Sequence, residues 1–153
     1  MIQIAIPQVF AFHTHFFLEG KKVLRVELTP SSSRASFWSV TADSEGVNII
    51  QHWCEAYFHG VNLYEFEIPS KILQQVCRIP FGKTMSYKEI AQSVGNEKAC
   101  RGVARACAAN RALLLIPCHR VINSNGLLGG YSRGIDIKKE LITFEKRFLF
   151  KNN

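Results

Sequence analysis

The part of this sequence best equipped for chemistry is a thiol beside an imidazole at a bend, in Leu115-Ile116-Pro117-Cys118-His119-Arg120-Val121-Ile122. An apolar run from Leu113 to Ile116 leads into a proline, which has no backbone N–H and a fixed φ. Pro117 can therefore end a strand or turn and hold Cys118 in one direction. The apolar pair that follows is broken by Asn123-Ser124-Asn125-Gly126, so the thiol is expected at a bend inside the core. A cysteine attacks only as thiolate, which requires a base or cation nearby, and His119 and Arg120 follow immediately. Adjacent side chains diverge in strands and turns, and buried cysteines are commonly inert. The pair gains its meaning from the elements that hold it.

Those elements begin with alternation. Phe10, Phe12 and Phe16 alternate with Ala11, His13 and Phe17, and after the turn Glu19-Gly20-Lys21-Lys22 the residues Leu24, Val26 and Leu28 alternate with Arg25 and Glu27, so residues 1–30 read as strands. Phe37–Thr41 is another short strand. From Val47, apolar residues at Ile50, Cys54, Tyr57 and Phe58 keep helical spacing until Gly60, and Tyr64, Phe66 and Ile68 then alternate again. This first part reads as a small α/β unit with no evident chemistry, and a boundary near residue 70 divides the chain into 1–69 and 70–153.

The second part is helical. Ser70 can cap a helix to Arg78, and Ile79-Pro80-Phe81-Gly82 breaks it. Ser86-Tyr87-Lys88-Glu89 is a capping box for a helix that Gly95 stops, and Asn96 can cap the next, about Glu97 to Ala108. The second of these is expected to bury Cys100, Val103, Ala104 and Cys107 and to expose Lys98, Arg101 and Arg105, with Gly102 leaving that side lean. Two short helices joined by a glycine turn, the second with a basic face, read as a helix-turn-helix. Asp136 can cap a last helix with Ile137, Leu141, Phe144 and Phe148 as its apolar stripe and Glu145 at the stripe's edge.

Charge supports a polyanion partner for this half alone. Residues 1–70 hold four Lys/Arg and seven Asp/Glu, net −3, whereas residues 71–153 hold fifteen and five, net +10. Five cysteines, an odd number with no Cys-x-x-Cys spacing, argue against a disulfide framework or structural zinc and for a reducing compartment. His13 and His15 alone do not make a metal site. The apolar runs are too short to span a bilayer and no signal peptide opens the chain, so a cytoplasmic protein is expected, associated with the nucleoid or, in a eukaryote, nuclear. The loop Leu127-Leu128-Gly129-Gly130-Tyr131-Ser132-Arg133-Gly134 lacks a phosphate-loop Gly-Lys-Ser/Thr.

Ile116-Pro117-Cys118-His119-Arg120-Val121 closely resembles the active-site signature of the O6-alkylguanine-DNA alkyltransferases, or methylated-DNA–protein-cysteine methyltransferases. The resemblance implies a ribonuclease-H-like α/β N-terminal domain and a mostly α C-terminal domain with a winged-helix-like helix-turn-helix. It implies direct-reversal repair: one alkyl group moves from O6 of guanine, or O4 of thymine, in duplex DNA to the protein's own Cys118. Each molecule reacts once, with the base flipped from the minor-groove side. Cys118 is then the nucleophile, His119 its base through a water, Glu145 the acid that orients the histidine, and Tyr87 the phenol that protonates the departing guanine and crowds its phosphate. Arg101 corresponds to the arginine that enters the stack. Lys98, Arg105 and Arg120 complete the expected DNA-binding set. Asn110 corresponds to a hinge, and Val121, Gly129, Tyr131 and Ser132 to the substrate pocket. No metal or cofactor is called for, and the chain is expected to act as a monomer.

The sequence departs from familiar members at Leu113, where some carry proline, at Arg133, where several carry glycine, and at Phe144-Glu145-Lys146, where many have His-Glu-Gly. These changes put tolerance of bulky alkyl groups in question but keep the acid. The rival readings are a lesion sensor without transfer, a helix-turn-helix transcriptional regulator, and a Cys-His-Glu hydrolase that turns over repeatedly.

Overall fold

The computed structural model describes residues 2–5, 12–19, 22–30, 37–41, 48, 52–53, 56–57, 68 and 70–151. It is a mixed α/β protein in two compact units. One comprises Met1–Phe66 with Arg111–Leu113, and the other Glu67–Asn110 with Leu114–Asn153. The break falls at 66/67 rather than 69/70, and a three-residue return segment joins the first unit.

In the first unit, strands β1 (Ile2–Ala5), β2 (Phe12–Glu19), β3 (Lys22–Pro30) and β4 (Phe37–Thr41) form one sheet in the order β1-β4-β2-β3. β2 and β3 are an antiparallel hairpin with a register shift at Phe17/Leu18, β4 runs parallel to β2, and β1 is antiparallel to β4. The expected alternation sets the inner face. Thr14 and Phe16 are buried opposite Leu28 and Val26. Trp53 and Tyr57, one helical turn apart, stack at 5.1 Å, and Trp53 meets Phe16 edge-on at 6.0 Å. The residues described at 48, 52–53 and 56–57 are helical, as the spacing from Val47 predicts, although Ile50, Cys54 and Phe58 lie outside the described residues. So does the expected strand at Tyr64 and Phe66, and Ile68 has no regular structure. Val26 N–H donates to the carbonyl of Arg111 at 2.7 Å, which attaches the return segment to β3.

The second unit carries helices α1 (Lys71–Cys77), α2 (Tyr87–Ser93), α3 (Cys100–Ala108) and α4 (Ile135–Lys151). Ser70 accepts from Leu73 N–H, and the Ser86/Glu89 capping box is complete in both directions. Asn96 accepts from Lys98 N–H and opens a 3₁₀ turn, Glu97–Ala99, before α3, so the single helix expected from Glu97 is two pieces. Gly95, at φ 79°, makes the turn between α2 and that pair, where a left-handed backbone favours glycine. Val103 and Cys107 are buried as expected, but Ala104 is exposed and Cys100 half-buried. Gly102 is half-buried as well, facing Ala99 and Ile72 of α1, where a Cβ would make ordinary contact at 3.9 and 4.0 Å.

A two-residue parallel pair organises the site. β5 (Met85–Ser86) lies beside β6 (Val121–Ile122), with Met85 opposite Val121 and Ser86 opposite Ile122. The start of α2 is thereby held against the residues that follow Cys118–Arg120, across 36 positions of sequence. Val76, Ile79, Ile90, Val103, Val121 and Leu141 are fully buried and form the core beneath.

Candidate active site

Pro117 precedes a 3₁₀ turn, Cys118–Arg120, whose backbone is tied by Cys118 N–H to Ile116 O at 2.8 Å and Arg120 N–H to Pro117 O at 2.9 Å. A tight turn sends successive side chains in different directions, and all three here are buried. That is how adjacent residues take up distinct roles.

Cys118 Sγ accepts a hydrogen bond from Asn110 Nδ2 at 3.2 Å, and the same amide donates to Ile116 O at 3.0 Å. Asn110 follows α3, so it links the end of that helix to the thiol. Burial pushes the Cys118 thiol above its ordinary range, while the Asn110 bond and the nearby Lys138 charge favour the thiolate. At rest the sulfur is a thiol that needs a base.

His119 Nε2 meets Glu145 Oε1 at 2.8 Å. A carboxylate accepts only, so Nε2 carries the proton and Nδ1 keeps its lone pair. Nδ1 is buried with no hydrogen-bond partner among the described residues. Burial lowers the imidazole's proton affinity, opposed by Glu145, and the ring stays neutral near pH 7. Glu145 also accepts from Arg120 Nε at 2.9 Å and Nη2 at 3.0 Å, and from Gly82 N–H at 3.0 Å. Burial alone would raise its carboxyl, but the contacts from His119 and Arg120 outweigh that and hold it well below the usual range. Because the imidazole is neutral, the permanent charge opposite Glu145 is that of Arg120. Arg120 further donates from Nη1 to Ile79 O at 2.7 Å and lies 5.5 Å over the Phe81 ring.

The expectation that Arg120 binds DNA is therefore corrected. The side chain is 1% exposed, its donors are engaged by Glu145 and Ile79, and it belongs to the buried network behind His119.

Tyr87, Gly129, Tyr131 and Val121 gather beside the thiol. Tyr87 is half-buried, and burial followed by the neighbouring Cys107 and Cys118 raises its phenol. Gly129, at φ 68°, lies so close that a Cβ would come within 3.3 Å of Tyr87 Cε2 and 3.1 Å of Asn123 Oδ1. The Tyr131 hydroxyl is buried without a partner among the described residues, whereas Ser132 is exposed. Lys98, Arg101 and Arg105 are all exposed along the 3₁₀ turn and α3.

Sequence reasoning missed Lys138. It is fully buried, donates from Nζ to Val121 O at 2.6 Å and Gly130 O at 3.3 Å, and lies 5.9 Å from the Tyr87 ring centre. Burial lowers its proton affinity, against the pull of Cys118 and Cys107. The signal was present: Lys138, Leu141, Ile142 and Glu145 share the i, i+3, i+4, i+7 spacing of a buried face.

Among the described residues no group of His, Cys, Asp and Glu is arranged to hold a metal ion. A proton acceptor held behind a buried thiol, with an opposing carboxylate and a loop carrying a buried hydroxyl, can deliver a thiolate to an electrophile enclosed by that loop.

Comparison with known proteins agrees with this chemistry. Residues 67–147 match the family described as 6-O-methylguanine DNA methyltransferase, DNA binding domain. A methylated-DNA–protein-cysteine methyltransferase of Methanosarcina barkeri is 41% identical over 142 residues, 87% of this chain and 83% of that protein. One from Saccharolobus islandicus is 42% identical over 102 residues, 61% of this chain and 66% of that protein. Among solved structures, Mycobacterium tuberculosis OGT in complex with DNA superposes with a TM-score of 0.64 at 28% identity, covering 89% of this chain and 94% of that one. With more than half of its residues matched by the family and the archaeal relative aligned along most of both lengths, the chain belongs to the methylated-DNA–protein-cysteine methyltransferases.

Proposed function

We propose that this protein repairs DNA by direct reversal, moving one alkyl group from O6 of guanine, and by the same chemistry from O4 of thymine, to Cys118. The observation that carries the reading is the His119–Glu145 hydrogen bond: His119 donates Nε2–H to the Glu145 carboxylate and keeps a buried Nδ1, unpartnered among the described residues, as base. His119 takes the Cys118 proton through a water, and the sulfur attacks the alkyl carbon in line. The S–C bond forms as the C–O6 bond breaks, and the guanine leaves with a proton delivered from Tyr87. The thioether has no carbonyl for water to attack, so the protein is consumed.

The target carbon lies inside a duplex, and the base must be extruded at a cost of roughly a few kcal/mol. Exposed Arg101, with Lys98 and Arg105, supports the reading that α3 lies in the minor groove and that Arg101 fills the vacated stack. Gly129 and Tyr131 supply the pocket wall, with the buried Tyr131 hydroxyl free to bond the purine. Exposed Ser132 would join them when DNA is bound. Asn110 couples α3 to the thiol.

In the same reading the four-stranded sheet of the first unit is ribonuclease-H-like, and α2, α3 and the β5–β6 pair are a winged-helix-like helix-turn-helix. Its setting is a reducing compartment that holds DNA.

The experiment is peptide mass spectrometry after incubation with a duplex containing O6-methylguanine, at protein excess and at DNA excess. One methylene gained on the Cys118 peptide, stopping at one per protein, is expected. Lesion-selective binding without any gain would instead make the protein a sensor.

A further inference from the structure

The unit that carries the thiol has a second cationic surface that alkyl transfer does not use. Arg78 closes α1, Lys83 follows Gly82, and Lys146 and Arg147 lie on α4; all four are exposed. Buried contacts bring the segments that carry them together. Gly82 N–H is bonded to Glu145, so Lys83 and Lys146 each adjoin one member of a hydrogen-bonded pair. Beside them the Phe81 ring packs edge-on against Phe144 and Phe148, with centroids 6.3 and 5.7 Å away. Arg78 precedes Ile79, whose carbonyl is held by the arginine that grips Glu145.

No carboxylate among the described residues pairs with any of the four. The acids of this half stand elsewhere: Glu145 is buried, Glu89 is engaged in its capping box, Glu97 opens the 3₁₀ turn before α3, and Asp136 and the half-buried Glu140 lie nearer the start of α4, about 15 and 9 Å along the axis from Lys146. Like charges carried on adjoining segments repel one another, and a polyanion relieves that repulsion.

The position of the patch separates it from the lesion face. Cys118 touches Asn110 after α3, and His119 and Glu145 lead from there through the core to Gly82. The damaged base must reach the Cys118 end of this chain, and the four cations surround the Glu145 end.

We propose that Arg78, Lys83, Lys146 and Arg147 bind the phosphates of a second duplex segment, so that one protein holds two stretches of DNA. The proposal rests on the DNA-repair reading for its partner. Two arginine forks and two lysine point charges suit phosphate oxygens. An anionic membrane would also call for exposed apolar anchors beside the cations. The exposed large apolar side chains among the described residues, Leu127 and Ile135, lie in the loop before α4 and at its first turn.

The test is the sedimentation stoichiometry of the full chain with a short duplex in excess. Two duplexes per protein are expected for the wild type and one for R78Q/K83Q/K146Q/R147Q, while R78K/R147K retains two. The salt slope of binding falls by about 0.9 for each phosphate contact removed. One duplex on the wild type, or two on the neutralised variant, overturns the proposal. So does capture by phosphatidylserine vesicles without a second duplex. The mass gain at Cys118, read in the same samples, tests alkyl transfer separately: its absence would sink the repair reading and leave the stoichiometry to stand or fall by itself.

Discussion

At the scale of single residues, one carboxylate governs the site. Glu145 receives His119 Nε2, the Arg120 fork and Gly82 N–H, so it fixes the imidazole tautomer and the loop at residue 82 together. Glu145→Gln turns an acceptor-only group into one that must present an amide N–H to a donor, and it leaves Arg120 as an uncompensated buried charge. A stability loss of about 3–5 kcal/mol is expected. Single-turnover methyl transfer, measured well below the melting temperature, should slow by at least about tenfold with DNA affinity retained. An unchanged rate would remove Glu145 from the mechanism. Lys138→Met tests a different contribution. It orphans the carbonyls of Val121 and Gly130, at about 1–3 kcal/mol, and removes a cation that favours the Cys118 thiolate. The midpoint of the transfer rate against pH should then move upward; a profile that stays in place would make Lys138 a purely structural tie.

At the scale of elements, the site depends on how α2 starts. Ser86 both caps α2 and pairs with Ile122, so it aims Tyr87 at the residues after the thiol. Ser86→Ala should cost about 1 kcal/mol, read as a fall in Tm of about 2–4 °C, and should slow transfer through Tyr87. A variant with unaltered Tm would show that the strand pair suffices. The cap was legible in the sequence because capping is local: Ser86 and Glu89 are three residues apart, as are Ser70 and Leu73. The strand faces were legible for the same reason, since alternation alone puts Val26 and Leu28 on one face of β3. Arg120 and Lys138 were not. An arginine beside a reactive pair and a lysine in Lys138-Lys139 read as surface charges, and their burial is decided by carbonyls and a carboxylate 8 to 41 positions away. The split between the 3₁₀ turn and α3 was hidden too, because one basic stripe runs through both.

At the scale of the whole molecule, buried groups on both sides of neutrality set the pH range of the fold. His119 is kept neutral by burial, so its folded-state affinity for protons lies below the ordinary 6.5. The unfolded chain therefore binds more protons below that pH, and stability falls as pH drops, by at most about 1.4 kcal/mol per pH unit for this group. Glu145 acts in the same direction at lower pH. Its carboxyl is depressed from 4.5, so its contribution is full above that value and is lost as pH falls toward the folded value. Cys77 and Cys107 act at the other side, because burial pushes both thiols from 9.0 up to about 12. Their contribution is full below pH 9 and is lost as pH rises from there to about 12, where the folded thiols also ionise. Thermal melts in a reducing buffer should thus show a plateau of Tm between about pH 6.5 and 9, with acid and alkaline shoulders of different origin. His119→Asn should flatten the shoulder just below pH 6.5 and leave the alkaline one. If the wild-type Tm stayed constant from pH 7 down to 5, the imidazole would not be held neutral, and the base assigned to Cys118 would be lost with it.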